Sequence, residues 1–382
     1  MRLAVYTDYE YRSDGVRRYG QRAFVVYLEA LRRHVDQLVL VGRLDPRPGA
    51  SHYPLHEDTE LVGLPHYKSL AHPWSVVRSL LGSLGRLWRL LDEVDTVWVL
   101  GPYPHAVAFS ALAILRRRRL VLGVRQDTPK YIRSRRPGQR WMHWSADLLE
   151  WIWRSLARRY PIVVVGPELA RKYRDACDVL AITVSLVSQH DLVDATVLDT
   201  RDYGEELTLL TVGRLDTEKN PLLLADVLNR LCAGQRRWRL LVCGDGPLRG
   251  QLHARLDELG LLEHVQLLGY VPIDGGLLDL YRRSHLFLHV SWTEGYPQVL
   301  VEAFAACLPA VATAVGGVRA AADGAALLVP PGDPEATAEA LERLATEPQL
   351  RAQLVEAGLR RAREGTLEVS TERLARFLTA AQ

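Results

Sequence analysis

Leu207-Thr-Leu-Leu-Thr-Val212-Gly213-Arg214-Leu-Asp-Thr-Glu-Lys219-Asn-Pro221 reads as strand, loop and helix start in succession. In Leu207–Val212 apolar side chains fall on both faces, the pattern of a strand covered from both sides in a parallel sheet. Gly213 ends the strand, and Pro221 suits the first turn of a helix. The same alternation runs outward in both directions. Before this stretch, strands are expected at 3–7, 38–41, 96–100, 120–124, 162–165 and 181–186, with helices at 16–33, 74–91, 105–115 and 139–159. After it, strands are expected at 207–212, 239–243, 265–268, 286–290, 310–312 and 326–329. Helices are expected there at 221–232, 248–259, 276–283, 297–306, 334–345 and 371–381. Repeated strand–helix units of this kind build doubly wound α/β domains around parallel sheets. Two Rossmann-like domains are expected, 1–187 and 207–365, with a polar linker at 188–206 and a last helical segment at 366–382. Two such halves imply a cleft between them, and ligands of such sheets bind outside the carboxyl ends of the strands.

With 48% hydrophobic and 24% charged residues, the composition is that of a soluble globular protein. No apolar run of about 18 residues is present, so no membrane-spanning helix is expected. The opening Met1-Arg-Leu-Ala-Val-Tyr reads as a first strand, not a signal peptide. Cys177, Cys232, Cys243 and Cys307 are scattered without C-x-x-C spacing. Neither a metal site nor a disulfide framework is expected, and a reducing cytoplasm is the default location. Charge is uneven: residues 1–200 hold 29 Lys and Arg against 21 Asp and Glu, the remainder 19 against 24. Only four lysines occur among 48 basic residues, so a lysine at a motif position carries weight.

Three loops of the second half carry the chemistry. Arg214 and Lys219 follow one strand; Arg forks onto two phosphate oxygens and Lys supplies a mobile point charge. Two solvated loop charges account for them equally well. Gly244-Asp-Gly246-Pro247 follows the next strand and suits either close approach to a ligand or a tight turn without one. A dinucleotide fold would place an acid after the strand that follows; Gly269-Tyr270 stands there, which argues against NAD. Trp292-Thr-Glu294-Gly295-Tyr296-Pro297-Gln298-Val299-Leu-Val-Glu302 opens a helix whose free N–H groups favour an anion. Glu294 and Glu302 can accept hydrogen bonds from sugar and ribose hydroxyls; a helix-start acid and an exposed acid are the bland alternatives.

Residues 207–330 resemble the donor half of the retaining GT-B glycosyltransferases of family 4. Four marks stand in the family's order: G-R-L-x-x-E-K-N-P at 213–221, G-D-G-P at 244–247, E-x7-E at Glu294 and Glu302, and G-G-V at 316–318. The resemblance implies a GT-B fold and transfer of sugar from a UDP- or GDP-linked donor to a hydroxyl acceptor, with retention and without an obligatory metal or other cofactor. It implies that Gly213, Arg214 and Lys219 hold the donor diphosphate, with Gly15, Gly244 and Gly246 beside it. Glu294 would bind sugar hydroxyls and Glu302 the ribose. Gly295, Tyr296, Pro297, Gln298 and Val299 would line sugar and phosphates, and Tyr270 and Val271 would lie by the base. Catalysis is expected from Arg214, Lys219 and Glu294, with Asp127 as an acceptor-side candidate.

The first half departs from the family pattern. Ser13-Asp-Gly15-Val has one glycine where relatives carry two, and Arg125 stands where many relatives have histidine. The Asn-Gly usual near Val187-Ser188 is also missing. Tyr103, His105, Arg125 and Gln126 are the acceptor-binding candidates, the acceptor being a glycan, a lipid-linked molecule or a small molecule. Asp127 would accept a proton, or serve only as a loop acid beside Arg125.

Residues 112–160 hold 13 Arg and Lys against three Asp and Glu, with Trp141, Trp144, Leu148 and Trp151 on one helical face. Such a face suits an anionic membrane surface at the inner side of a membrane. It equally suits tryptophans packed inward with arginines in water. No nucleic-acid module is recognisable. Beside the transferase reading stand a nucleotide-sugar epimerase or phosphorylase on the same fold, and a non-catalytic nucleotide-sugar-binding protein.

Overall fold

The computed structural model describes residues 1–196 and 201–380, apart from the side chains of 135 and 274. The described chain divides into two units, Met1–Val184 with Leu367 onward, and Ser185–Thr366.

In the first unit, β1 (Arg2–Ser13) is followed by β2 (Arg18–Gly20), α1 (Phe24–Ala30), β3 (Gln37–Leu44), β4 (Tyr53–Pro54) and β5 (Glu60–Pro65). Next come α2 (Pro73–Glu93), β6 (Thr96–Gly101), α3 (Pro104–Leu115), β7 (Arg119–Val124), α4 (Thr128–Arg135) and α5 (Arg140–Ala157). β8 (Ile162–Val165), α6 (Pro167–Lys172) and β9 (Val179–Ile182) complete the run. The parallel core is ordered β5-β3-β1-β6-β7-β8-β9, and β2 and β4 add antiparallel pairings at one side. Strand order therefore reverses between β1 and β6.

Several sequence expectations change here. The helix expected at 16–33 is a hairpin return, β2, followed by the short α1. β1 runs on to Ser13 and folds back on itself, because Asp14 accepts the N–H groups of Val16 and Arg17 at 2.9 and 2.7 Å and closes a turn. β5 was not expected; its apolar residues are few, and pairing with β3 makes it a strand. The strand expected at 181–186 is β9, which ends at Ile182.

The second unit contains β10 (Glu206–Val212), α7 (Leu223–Cys232), β11 (Arg237–Cys243), α8 (Arg249–Glu258), β12 (Val265–Gly269), α9 (Leu278–Arg283) and β13 (Leu286–His289). α10 (Gln298–Ala305), β14 (Ala310–Thr313), α11 (Val318–Ala322), β15 (Leu327–Val329), α12 (Pro334–Thr346) and α13 (Pro348–Glu364) follow. Its six parallel strands are ordered β12-β11-β10-β13-β14-β15. Leu209 faces one apolar core with α7 and α12, and its neighbour Leu210 faces another with α9 and α10. Cover on both faces explains why β10 carries apolar residues on both of its faces. The order reverses at β10, so the loops after β10 and β13 share the switch point of the sheet, where ligands of such folds bind.

The stretch expected to link the halves, 188–206, belongs to the second unit in its described part. The Val193 N–H donates to the Ala305 carbonyl at 2.8 Å, and Arg201 donates to the carbonyls of Ala306 and Cys307. α14 (Leu367–Ala380) starts four residues earlier than expected and groups with the first unit. There Ser370 Oγ bonds Tyr27 Oη at 2.9 Å and donates to the Thr183 carbonyl at 2.7 Å.

Candidate functional site

After β10 the chain makes a short turn at Thr217–Lys219, ended by Asn220 in the left-handed region at φ 49°. The Trp292 N–H donates to the Glu218 carbonyl at 2.9 Å, stitching this turn to the loop after β13. That stitch brings Lys219 Nζ onto Glu294 Oε1 as an ion pair. The same carboxylate oxygen lies 3.0 Å from His289 Nε2 and accepts from Ser291 Oγ at 3.1 Å. Burial alone would raise the Glu294 carboxyl, but the His289 hydrogen bond and the Lys219 charge outweigh it and bring the pKa down to about 2. Glu294 is thus a fixed carboxylate at neutral pH. His289 and Ser291 escaped the sequence reading: one ends an apolar strand, the other lies two residues beyond it, and only the turn of the following loop points Glu294 back at them.

Four glycines hold these loops by letting backbone touch backbone. A Cβ on Gly317 would overlap the Gly295 carbonyl oxygen, and one on Gly316, at φ +41°, would overlap that of Glu294. A Cβ on Gly244 or Gly246 would overlap the carbonyl oxygens of Gly213 or Leu215. The structure therefore gives Gly244 and Gly246 a loop-packing role. Gly213 and Gly295 differ: a Cβ on either meets nothing within 4 Å. The chain itself leaves open space beside these two glycines, which sit on the loops that carry Lys219 and Glu294.

The remaining candidates of this unit occupy distinct settings. Arg214 is more than half exposed and pairs along its own loop, with Asp216 at 2.6 Å and Glu218 at 3.6 Å. Glu302 is buried, not exposed; it accepts from Tyr281 Oη at 2.8 Å, and burial raises its pKa. Pro297 is buried in extended backbone ahead of α10. The Leu300 N–H turns to the Pro297 carbonyl at 3.3 Å, which leaves the Gln298 and Val299 N–H groups at the helix start. Tyr296 and Val299 pack half-buried on the core of α10, and so does Val271, whereas Tyr270 is exposed.

The first unit carries the acceptor-side candidates and Gly15, which the resemblance placed beside the donor diphosphate. Gly15, at φ +95°, sits at an exposed hairpin tip between β1 and β2, not in a strand-to-helix loop. His105 is fully buried, 3.0 Å from Ser79 Oγ and stacked on Tyr67. Burial, then the Arg43 charge, lowers its pKa to about 4. It is a packing residue that no acceptor reaches in this structure. Asp127 caps α4 through the Lys130 N–H at 3.1 Å and pairs with Lys172 at 3.1 Å, with its side chain about a third exposed. Gln126 is exposed. Tyr103 precedes α3, half-buried, its phenol pKa raised by burial and by Asp8. Arg125 lies over the rings of Phe24 at 4.0 Å and Tyr9 at 5.2 Å, with no carboxylate partner among the described residues. Burial lowers its pKa to about 10. The sequence reading also missed Asp8, which accepts from Tyr6 at 3.3 Å and from Tyr67 and lies 3.6 Å from Arg43. It directly follows the apolar run of β1, the one signal that marked it.

Among the described residues no group of three or more His, Cys, Asp or Glu is placed to hold a metal ion. No described helix is long and apolar enough to cross a membrane.

The two loops that make the Lys219–Glu294 pair fall inside a known family pattern. Residues 199–361 match the family model Glycosyl transferases group 1. The gpi3 subunit of phosphatidylinositol N-acetylglucosaminyltransferase from Schizosaccharomyces pombe is 38% identical over 112 residues, 29% of this chain and 24% of that protein. D-inositol 3-phosphate glycosyltransferase from Corynebacterium jeikeium is 32% identical over 174 residues, 43% of this chain and 41% of that protein. The matches thus span well under half the length of these curated relatives. Among solved structures, sucrose-phosphate synthase from Thermosynechococcus elongatus gives a TM-score of 0.71 at 18% identity, covering 100% of this chain and 99% of that one. HepE of Anabaena, crystallised with UDP, gives 0.72 at 17% identity over 100% of both chains. The fold is GT-B.

Proposed function

We propose that this chain is a glycosyltransferase that moves a sugar from a nucleoside-diphosphate sugar, UDP- or GDP-linked, to a hydroxyl acceptor. The observation that carries the reading is the Lys219–Glu294 pair at the switch point of the second sheet, on loops that also hold the open glycines 213 and 295. The match of residues 199–361 to glycosyl transferases group 1 supports it. Lys219, with Arg214 released from its loop acids, neutralises the diphosphate as it leaves. Glu294, kept ionised, accepts hydrogen bonds from sugar hydroxyls and holds the ring over that diphosphate. The buried Glu302 takes the ribose. The acceptor oxygen bonds to the anomeric carbon as the bond to the diphosphate breaks, and its proton passes to the departing phosphate. Departure and attack on one face retain the anomeric configuration, and Lys219 and Arg214 supply the charge without an obligatory metal.

Thermal stabilisation by UDP, GDP and their sugars tests the donor assignment. A ligand present at about 100 times its dissociation constant adds roughly 2.7 kcal/mol. No shift with any of them would overturn it. The anomeric coupling in the product's proton spectrum tests retention, and undiminished turnover in chelator tests metal independence.

Arg125 in place of the family's histidine, and the engaged state of Asp127, favour a second reading: a nucleotide-sugar-binding protein without turnover. Tight donor binding with no transfer to any acceptor would establish it.

A further inference from the structure

The helices α2, α3 and α5 lie side by side over the core on one face of the first sheet. α5 turns Met142, Ala146, Trp153 and Ala157 inward. Its outward stripe is Trp141, Trp144, Leu148 and Trp151, with Trp144 79% and Trp151 66% accessible. α2 repeats the arrangement: Val76, Leu87, Leu90 and Leu91 are buried, and Trp74, Val77, Leu81 and Trp88 are exposed, Trp74 at 86%. Isolated exposed apolar residues are ordinary on a soluble protein, but two stripes holding five tryptophans, on helices packed either side of α3, are not. The sequence left open whether the α5 tryptophans pack inward; Trp153 does and the other three do not.

The charges around the stripes select the occupant. Lys130, Arg136, Arg140 and Arg154 are exposed on α4, α5 and the turn between them, and Arg78, Arg86 and Arg89 are exposed on α2. The acids of α5 are spoken for: Asp147 pairs with Arg133 at 2.6 Å, and Glu150 is buried. Tryptophan rests with its ring at the level of lipid headgroups and its N–H toward water. Arginine and lysine beside it gain from a negative bilayer surface. The α5 stripe, from 141 to 151, spans about 15 Å of helix, enough to lie along such a surface.

We propose that the outward faces of α2 and α5 dock the first unit onto a bilayer of anionic phospholipid, with the tryptophans in the headgroup layer and the arginines on lipid phosphates. This surface does not depend on the glycosyltransferase reading. Such docking at a surface needs no spanning segment.

The test is flotation of the full chain with vesicles of phosphatidylcholine alone and of phosphatidylcholine mixed with phosphatidylglycerol. Partition at least about tenfold stronger on the mixed vesicles is expected, and it should fall steeply as salt shortens the screening length from about 10 Å to about 3 Å. The double variant W144S/W151S should lose at least about tenfold of that partition while keeping the parent melting temperature, since both side chains face water. Equal partition on both vesicles, none on either, or undiminished partition of the double variant would overturn the proposal. So would a stable dimer in solution that W144S/W151S converts to monomer, because a second copy would then be what covers the face.

Discussion

Gly317 sets its Cα against the carbonyl oxygen of Gly295, and its N–H donates to the Glu294 carbonyl at 3.1 Å. A turn after β14 thereby fixes the backbone of the residue that carries the site's carboxylate.

Gly317→Ala must push the Glu294–Gly295 backbone away. It should destabilise the protein by about 1–3 kcal/mol and weaken nucleotide-sugar binding together. Gly295→Ala and Gly213→Ala, whose Cβ atoms meet nothing in the chain, should leave the melting temperature unchanged and weaken binding alone. Calorimetric melting and titration of each variant separate the two outcomes; binding unaffected in Gly213→Ala would remove that loop from the ligand site.

Lys219→Met deletes the ion pair with Glu294 while keeping the aliphatic stem. Affinity for a nucleoside diphosphate should fall by about 1.5–3 kcal/mol, a tenfold to hundredfold change in dissociation constant. Unchanged affinity by titration calorimetry would exclude Lys219 from the diphosphate site.

The Glu294 carboxyl titrates at about 2 in the fold against 4.5 unperturbed. A depressed carboxylate contributes stability that is present above pH 4.5 and lost as pH falls toward 2. Glu294→Gln should therefore be destabilised by a few kcal/mol at about pH 7, and the gap to the parent should narrow on acidification to about pH 3. Urea unfolding at both values checks it; a gap independent of pH would contradict the geometry around His289 and Lys219.

His105 works in the same acid direction for the opposite reason. Burial lowers its pKa from 6.5 to about 4, so the fold is favoured while the imidazole is neutral. Its contribution is complete above pH 6.5 and is lost as pH drops toward 4. His105→Asn should flatten the decline of stability across that interval; an unchanged slope would refute the assignment.

The sequence carried the second unit further than the first. The parallel strands there are predominantly apolar, so β10, β11 and β13 were legible, and Lys219 and Glu294 in the loops after them. α11 and α13 were not read: α11 is one short turn, and α13 follows α12 with only Glu347 between them. The duties of Gly244, Gly246, Gly316 and Gly317 were illegible because each is defined by a carbonyl far along the chain. In the first unit, β2 hid inside an apparent helix since only the hairpin turn at Asp14 and the pairing back onto β1 make Arg18–Gly20 a strand. Helical spacing placed four α5 residues on one face, but spacing cannot say which face meets the sheet. His105 misled for a related reason: a histidine after a strand looks presented, and only the packing of Ser79 and Tyr67 shows it sealed.

The first unit is discontinuous, since α14 rejoins it after the whole of Ser185–Thr366 has been laid down. Leu374, Ala375 and Leu378 of that helix are buried, and Ser370 bonds both Tyr27 and the Thr183 carbonyl. During synthesis the N-terminal portion must wait on the ribosome with the docking place of α14 bare, while the later, uninterrupted portion already holds everything it needs to fold. The order of completion is therefore the reverse of the order of translation. A stop codon that removes the buried residues of α14, Ser370 to Leu378, damages the half of the molecule that was made first.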